Sequence, residues 1–205
     1  MNEFPVHSVS KQHKHHSNRV MLVVGLVAIA ALALGVLNNF EFGTPSSFQV
    51  ESALAMNESK PVRIEIPSIG VDAPIAETGL KEDQTAEVPD EANEVGWYKY
   101  SQTPGEIGPS VLIGHLDWTD GPAVFFDIKK LKPGSVIKVT REDGSIAVFN
   151  VESIEQYRQN EFPTEEVYGK LKKSGLRLVT CSGSFIGEQY SHNLVVYAAL
   201  VQTIY

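Results

Sequence analysis

The feature that most limits what this chain can fold into is an uncharged apolar run near its N-terminus, from Val20 to Leu37. Its eighteen residues come close to the roughly 20 that a helix needs to cross about 30 Å of hydrocarbon. Three basic residues precede the run, whereas Glu41 follows it. Because positive residues favour the cytoplasmic side, the pattern predicts residues 1–19 as a cytoplasmic tail, residues 20–37 as a single transmembrane anchor, and the remainder outside.

A cleavable signal peptide is the competing interpretation of this run, since its length is near the upper limit for such segments. The small-residue triplet Ala31–Ala33 lies inside the run, and Ala53–Ala55 falls well past its end. Neither triplet is a well-placed cleavage site. We therefore expect a single-pass protein of the cell membrane with its N-terminus in the cytoplasm and its folded domain extracellular.

The charge changes sign across the predicted anchor. Residues 1–40 carry three Lys or Arg against Glu3, a net charge of +2, and residues 41–205 carry fourteen against twenty-four Asp or Glu, a net charge of −10. An acidic domain argues against a nucleic-acid partner, because phosphate binding needs a basic surface. Four of the six histidines lie in the N-terminal tail, where a polar cytoplasmic segment is a simpler interpretation than a metal site.

The chain after the anchor divides into a linker and one domain. Residues 38–60 mix Ser, Pro, Gly and Asn with few periodic apolar positions, which is typical of a linker. Residues 61–205 carry short apolar runs rich in β-branched and aromatic residues and separated by turn residues, a pattern typical of an all-β sandwich or barrel. The predicted strands are Val62 to Ile69, Ser110 to Leu116, Ser135 to Thr140, Ile146 to Tyr157, Leu176 to Cys181 and Leu194 to Thr203.

Only short helices fit between these strands. The candidates are Ala123 to Lys130 and Thr164 to Lys172, and the second has Thr164 as a predicted N-cap with two glutamates in its first turn. The sequence Glu142-Asp143-Gly144 predicts a hairpin turn, with glycine where a positive φ is expected.

The single cysteine, Cys181, directly follows a strand-like run. A lone thiol in an oxidising compartment has no intramolecular disulfide partner, so it is a liability unless the sulfur has a chemical role. Of the two histidines in the domain, His115 also ends a strand-like run and stands beside a glycine, whereas His192 does not. Each residue alone has a structural explanation, a small buried side chain or a satisfied ring, but together they form a minimal nucleophile and acid/base couple.

Metal and cofactor sites are not indicated. The domain lacks paired Cys-x-x-Cys or His-x-x-x-His spacing for zinc, and we expect no cofactor. The acidic residues Glu82, Asp83, Glu87, Asp90, Glu91 and Glu94 could bind calcium, but their spacing does not follow a regular calcium loop. A solvated loop is the favoured interpretation of residues 82–94.

Five stretches of the domain together resemble one known family. They are Arg63 to Ile69, Gly96 to Tyr98, Pro104 to His115, Gly121 to Phe126 and Leu176 to Gly183. The family that they resemble is the sortases, membrane-anchored cysteine transpeptidases of Gram-positive surfaces, and most closely their class F branch. The last stretch matches the family's Thr-Leu-x-Thr-Cys motif from the leucine onward.

The resemblance implies a closed eight-stranded β-barrel that takes the LPXTG-type sorting signal of surface proteins. It further implies that Cys181 cleaves between Thr and Gly through a thioester and that His115 carries the proton. An amine acceptor, such as a cell-wall precursor, would then resolve the thioester.

The chain departs from the family pattern at the arginine that follows the cysteine, because no Arg or Lys occurs after Cys181. By register Asn193 most nearly takes its place, with Ser191 as a second alignment. Other possible hydrogen-bond donors are His192, which precedes Asn193, and an arginine from a neighbouring strand, namely Arg177, Arg141 or Arg158. One alternative function is therefore a weakly active or inactive barrel that only binds sorting-signal peptides at the cell surface. An L,D-transpeptidase is disfavoured because Cys181 lacks that family's Ser-Gly-Cys context and following arginine.

Overall fold

The computed structural model describes Phe4–Pro5, residues 55–187 and residues 189–205. The predicted anchor at residues 20–37, nearly all of the cytoplasmic tail and most of the linker lie outside the described residues. Within the described part, no helix is long and apolar enough to cross a bilayer.

Eight strands form a closed barrel, which confirms the expected all-β architecture. The strands are β1 Pro61–Ile66, β2 Val71–Thr78, β3 Val95–Tyr98, β4 Gly108–Gly114, β5 Val136–Arg141, β6 Ile146–Arg158, β7 Ser174–Ile186 and β8 Gln189–Ile204. Around the barrel their order is β6-β8-β7-β4-β3-β2-β1-β5, and β5 pairs with β6 to close it. The pairs β2–β3 and β4–β7 are parallel.

Short elements decorate the barrel. Two-residue strands pair Phe4–Pro5 with Thr85–Ala86 and Asp117–Trp118 with Gly121–Pro122. The helix α1 spans Thr164–Tyr168. Single turns of 3₁₀ helix lie at Pro67–Ile69, Ile128–Lys130 and Gln159–Glu161.

The alternation of side chains along the strands gives the barrel two apolar clusters. Leu176, Leu178 and Phe149 belong to the larger one, inside the barrel. The residues between them along the strands, such as Val179, point the other way and form a smaller cluster on the outer face of the barrel. Val167 of α1 packs on this smaller cluster. Because β4 and β7 face apolar neighbours on both sides, their sequences read as continuous apolar runs rather than as alternating ones.

All six predicted strands are present with shifted ends, but the sequence patterns missed β2 and β3. The predicted strand Val62 to Ile69 ends at Ile66 and continues as a 3₁₀ turn. The predicted helix Ala123 to Lys130 shortens to the turn Ile128–Lys130. The helix from Thr164 ends at Tyr168, and Pro163 rather than Thr164 occupies its N-cap.

Candidate active site

Cys181 lies where β7 leaves the protein core. The strand is buried from Ser174 to Thr180, and Cys181 is its first partly exposed residue. Because side chains alternate along a strand, Cys181 faces the same side as Val179, toward the outer cluster. The strand thus presents the sulfur on a rigid element at the edge of the core, accessible from a cavity of about 450 Å³.

His115 follows the last residue of β4, the parallel neighbour of β7. In this pairing Val179 lies opposite Ile113. Continuing the register by two residues puts Cys181 level with His115, on strands about 4.8 Å apart. Both residues line the same cavity, so the fold brings together the two groups that the sequence singled out.

The imidazole of His115 is held in one orientation. Its Nε2 donates to the carbonyl oxygen of Pro89 at 2.7 Å, and its ring makes an edge contact with Trp118 at 4.7 Å between centroids. Because a carbonyl oxygen only accepts, Nε2 carries a proton. Nδ1 is therefore the nitrogen that can exchange a proton with a substrate or with the thiol.

A glycine before His115 is required by close packing. A Cβ on Gly114 would lie 2.6 Å from a ring carbon of Phe125, and Phe125 is fully buried. The strand can therefore pack against this ring only if position 114 has no side chain.

Asn193 of β8 is the direct cross-strand partner of Cys181. Its side chain is fully buried, at 0% exposure, and neither the nitrogen nor the oxygen of its amide finds a hydrogen-bond partner among the described residues. Asn193 is absent from the residues that line the cavity. Its amide thus lies beside the nucleophile but below the cavity surface.

The other candidate donors lie elsewhere. Arg177 is 7% exposed and stacks on Tyr197 at 4.6 Å, while its Nη1 donates to the Leu176 carbonyl at 3.1 Å. Arg141 donates to the Ser59 carbonyl at 3.4 Å. These contacts hold both guanidinium groups away from Cys181. The three remaining candidates, Arg158, Ser191 and His192, line a second, neighbouring cavity.

The structure adds cavity residues that the sequence patterns did not identify. The hydroxyl of Tyr190 donates to the carboxylate of Asp117, and both residues line the cavity with Trp118 and Phe185. Burial, together with this hydrogen bond, raises the pKa of Tyr190 to about 12. Two sequence signals could have located these walls: Asp117-Trp118 begins two residues after His115, and Phe185 follows Cys181 by four residues.

Within the described residues, no three His, Cys, Asp or Glu side chains come together as a possible metal site. The chemistry that the arrangement offers is that of a thiol and an imidazole in a partly apolar cavity, with a buried amide and a phenol close by.

Comparison with solved structures identifies barrels of the same kind. Sortase C-1 from Actinomyces oris is 25% identical, with a TM-score of 0.55, covering 78% of this chain and 82% of that one. Sortase E1 from Streptomyces coelicolor, solved with a tripeptide in its active site, is 24% identical, with a TM-score of 0.54 over 71% of this chain and 90% of that one. Sortase A from Listeria monocytogenes is 18% identical, with a TM-score of 0.55 over the same shares, 71% and 90%.

A search of curated proteins gave no match. The family model described as the sortase domain matches residues 64–201, which includes the second half of β1, all of β8 except its last three residues, the other six barrel strands, and the cavity with Cys181 and His115. The chain belongs to the sortase family.

Proposed function

We propose that the protein is a cysteine transpeptidase that cleaves an LPXTG-type sorting signal between Thr and Gly and transfers the surface protein to an amine acceptor of the cell wall. Sortases in general are transpeptidases. The observation that carries the proposal is that Cys181 of β7 and His115, which directly follows the parallel strand β4, line one cavity.

In the first step the sulfur of Cys181 attacks the threonine carbonyl carbon and forms a thioester. The bond from this carbon to the glycine nitrogen breaks, and His115 delivers a proton to the leaving amine. In the second step the acceptor amine attacks the thioester and passes one proton to His115, and the carbon–sulfur bond breaks, so that Cys181 leaves as the thiolate that attacks in the first step. The two steps leave the enzyme unchanged.

The walls of the cavity suit an extended peptide with apolar side chains. Phe185 is 62% exposed and Trp118 is 40% exposed, and both line the cavity together with Leu116. Such exposed aromatic side chains gain stability when a ligand covers them.

We further propose that Asn193 substitutes for the family arginine. It is the cross-strand partner of Cys181, and its amide nitrogen, which makes no hydrogen bond to the described residues, would donate to the developing oxyanion once a substrate is bound. Removing an oxyanion donor typically costs roughly two to three powers of ten in rate, so a single amide in place of a guanidinium is consistent with a slow enzyme. Assignment to class F belongs to this proposal and rests on the sequence motifs.

Membrane anchoring by residues 20–37 is also a proposal. A single pass would place Phe4–Pro5 across the bilayer from Thr85–Ala86, so this anchored topology and the short strand pairing of these segments exclude one another. The variant Phe4→Cys, made in a Cys181→Ala background so that it carries the one thiol, tests the topology on intact cells. Labelling by a membrane-impermeant thiol reagent only after the cells are opened supports the anchor, and labelling of intact cells contradicts it.

The function is tested by incubating the purified protein with an LPXTG-type peptide and searching for the acyl adduct on Cys181 by mass spectrometry. We expect an adduct on the wild type and none on Cys181→Ala, whose fold should persist because the change removes little volume. Peptide binding without any adduct would instead favour the alternative, a sortase-like barrel that only binds sorting signals.

A further inference from the structure

A hairpin of two short strands stands directly beside the imidazole of the candidate site. Asp117–Trp118 pairs with Gly121–Pro122, and residues 117–122 are called the 117–122 hairpin below. A backbone hydrogen bond from Phe125 to the carbonyl of His115 at 2.9 Å helps to hold its base. Beyond this base its two strands are exposed or half-buried, so the barrel core contributes little to its position.

Trp118 of this hairpin restricts the imidazole from one side. Its ring meets the ring of His115 edge-on, with 4.7 Å between the centroids and 69° between the planes. On another side, Nε2 of His115 donates to the carbonyl oxygen of Pro89. The hydrogen bond limits the ring at one nitrogen, and the indole limits its tilt. The direction in which Nδ1 points therefore depends on where Trp118 lies.

A side-chain hydrogen bond ties the 117–122 hairpin to β8. The hydroxyl of Tyr190 donates to the carboxylate of Asp117, and hydrogen bonds to an ionised acceptor are among the stronger ones. Tyr190 is itself held by Phe185, its cross-strand partner on β7, whose ring it meets edge-on at 5.2 Å between centroids. Because β7 also carries Cys181, these contacts connect the strand of the nucleophile with the hairpin that restricts the imidazole.

We propose that Tyr190 is a positioning residue for proton transfer, which acts through Asp117 and Trp118 to keep Nδ1 of His115 directed at the scissile bond. The inference rests on the proposed transpeptidase function. In this role Tyr190 does not touch the reacting atoms. Its loss would slow protonation of the leaving amine, because general acid catalysis depends on the distance and direction of the acid.

The test compares two substrates whose leaving groups differ in their need for a proton. An LPXTG-type peptide loses an amine, which must take up a proton as it leaves. The same peptide with a thioester after Thr loses a thiol with a pKa of about 8.5, which can leave as the thiolate. Both substrates give the same acyl adduct on Cys181, so mass spectrometry of this adduct at saturating substrate measures both rates.

Tyr190→Phe removes the hydroxyl and retains the ring that packs on Phe185. We expect roughly tenfold slower acylation by the peptide, a part of the two to four powers of ten that a positioned acid contributes, and an unchanged rate with the thioester. Asp117→Asn keeps an acceptor for the hydroxyl and should retain most of the peptide rate, whereas Asp117→Ala should lose about tenfold as well. Tyr190→Phe added to Trp118→Ala should cause no further loss, because the ring through which Tyr190 acts is then absent.

Tyr197→Phe is the matched control. It removes another phenol hydroxyl of β8, one that lies 3.2 Å from the hydroxyl of Tyr157, and should keep both rates. Equal slowing of both substrates by Tyr190→Phe would overturn the inference, because Tyr190 would then serve substrate binding or the fold, and so would two unchanged rates. A wild-type protein that forms no adduct with the peptide is a different result: it contradicts the proposed function itself, and the positioning role with it.

Discussion

Asn193 and Cys181 face each other directly across β8 and β7. Both polar atoms of the Asn193 amide are buried without a partner among the described residues. Leaving a buried polar group unsatisfied costs about 1–3 kcal/mol of folding free energy. A cost of this size next to the candidate nucleophile supports the proposal that the amide serves the site.

Asn193→Leu separates these two roles, because leucine has a similar shape and no polar atoms. We expect the free energy of unfolding to stay equal or to rise by about 1–2 kcal/mol, while the rate of acyl-adduct formation falls roughly ten- to hundredfold. Chemical denaturation and adduct mass spectrometry measure the two effects. The control is Thr180→Val, which removes a buried hydroxyl that likewise has no partner among the described residues and should keep the adduct rate. An undiminished rate in Asn193→Leu would remove Asn193 from the catalytic machinery.

Arg177 is expected to stabilise the fold without acting in catalysis. It is buried against Tyr197, and burial lowers the pKa of its guanidinium. A desolvated cation–π contact contributes about 2 kcal/mol, so Arg177→Ala should lower the free energy of unfolding by about that amount. Arg63→Ala, which breaks only an exposed ion pair with Asp72, should cost about 1 kcal/mol at most. The adduct rate of folded Arg177→Ala should equal that of the wild type, and a large loss would mean that Arg177 does reach the site.

Gly114→Ala should disturb both the core and His115. The added Cβ would approach the ring of Phe125 to 2.6 Å, and such overpacking costs about 1–3 kcal/mol. Because His115 is the next residue, we also expect slower adduct formation. Gly79→Ala is the control, since the nearest atom to its Cβ would be Glu87 Oε2 at 3.2 Å, the end of a flexible side chain. Equal melting temperatures for the two variants would contradict the role given to the Phe125 contact.

The phenol of Tyr190 gives a prediction about pH. Its pKa of about 12 lies above the ordinary value of about 10, so the folded state holds the proton more tightly than the unfolded chain. The resulting stability is fully present below about pH 10 and is lost as the pH rises through about 12. Ultraviolet difference spectra should show one phenolate transition near 12 that is missing in Tyr190→Phe. Asp117→Ala should lower that pKa only in part, because burial is the larger cause.

The sequence patterns located strands that are long and apolar and missed those that depend on their neighbours. Residues Ser174 to Thr180 of β7 form a run of buried positions, and the Glu142-Asp143-Gly144 turn has the expected positive φ, 83° at Gly144. By contrast, β2 contains Pro74 and alternates irregularly, and β3 has only four residues. β2 pairs with β1 and β3, and β3 pairs with β2 and β4, so both are strands because of pairing with other segments, which the pattern within one segment does not contain.

The candidate site was predictable to the same extent. Cys181 and His115 stood out because each ends a strand-like run of the sequence within two residues of a glycine, and the parallel pairing of β4 with β7 then accounts for their shared cavity. The complete wall of the cavity could not be foreseen, because Pro89, Asp117 and Tyr190 come from three separate segments whose contacts exist only in the closed barrel.

The parallel register between β4 and β7 has a consequence for how this chain tolerates change. The chain between these two strands, from 115 to 173, makes a long excursion through two further strands, yet its length does not determine the alignment of sulfur and imidazole. A slip of β7 by a single residue would turn Cys181 toward the barrel interior, whereas insertions in the connecting loops would leave the couple aligned. Variation in this protein's relatives is thus expected to accumulate in the loops while the pairing of the two strands stays fixed.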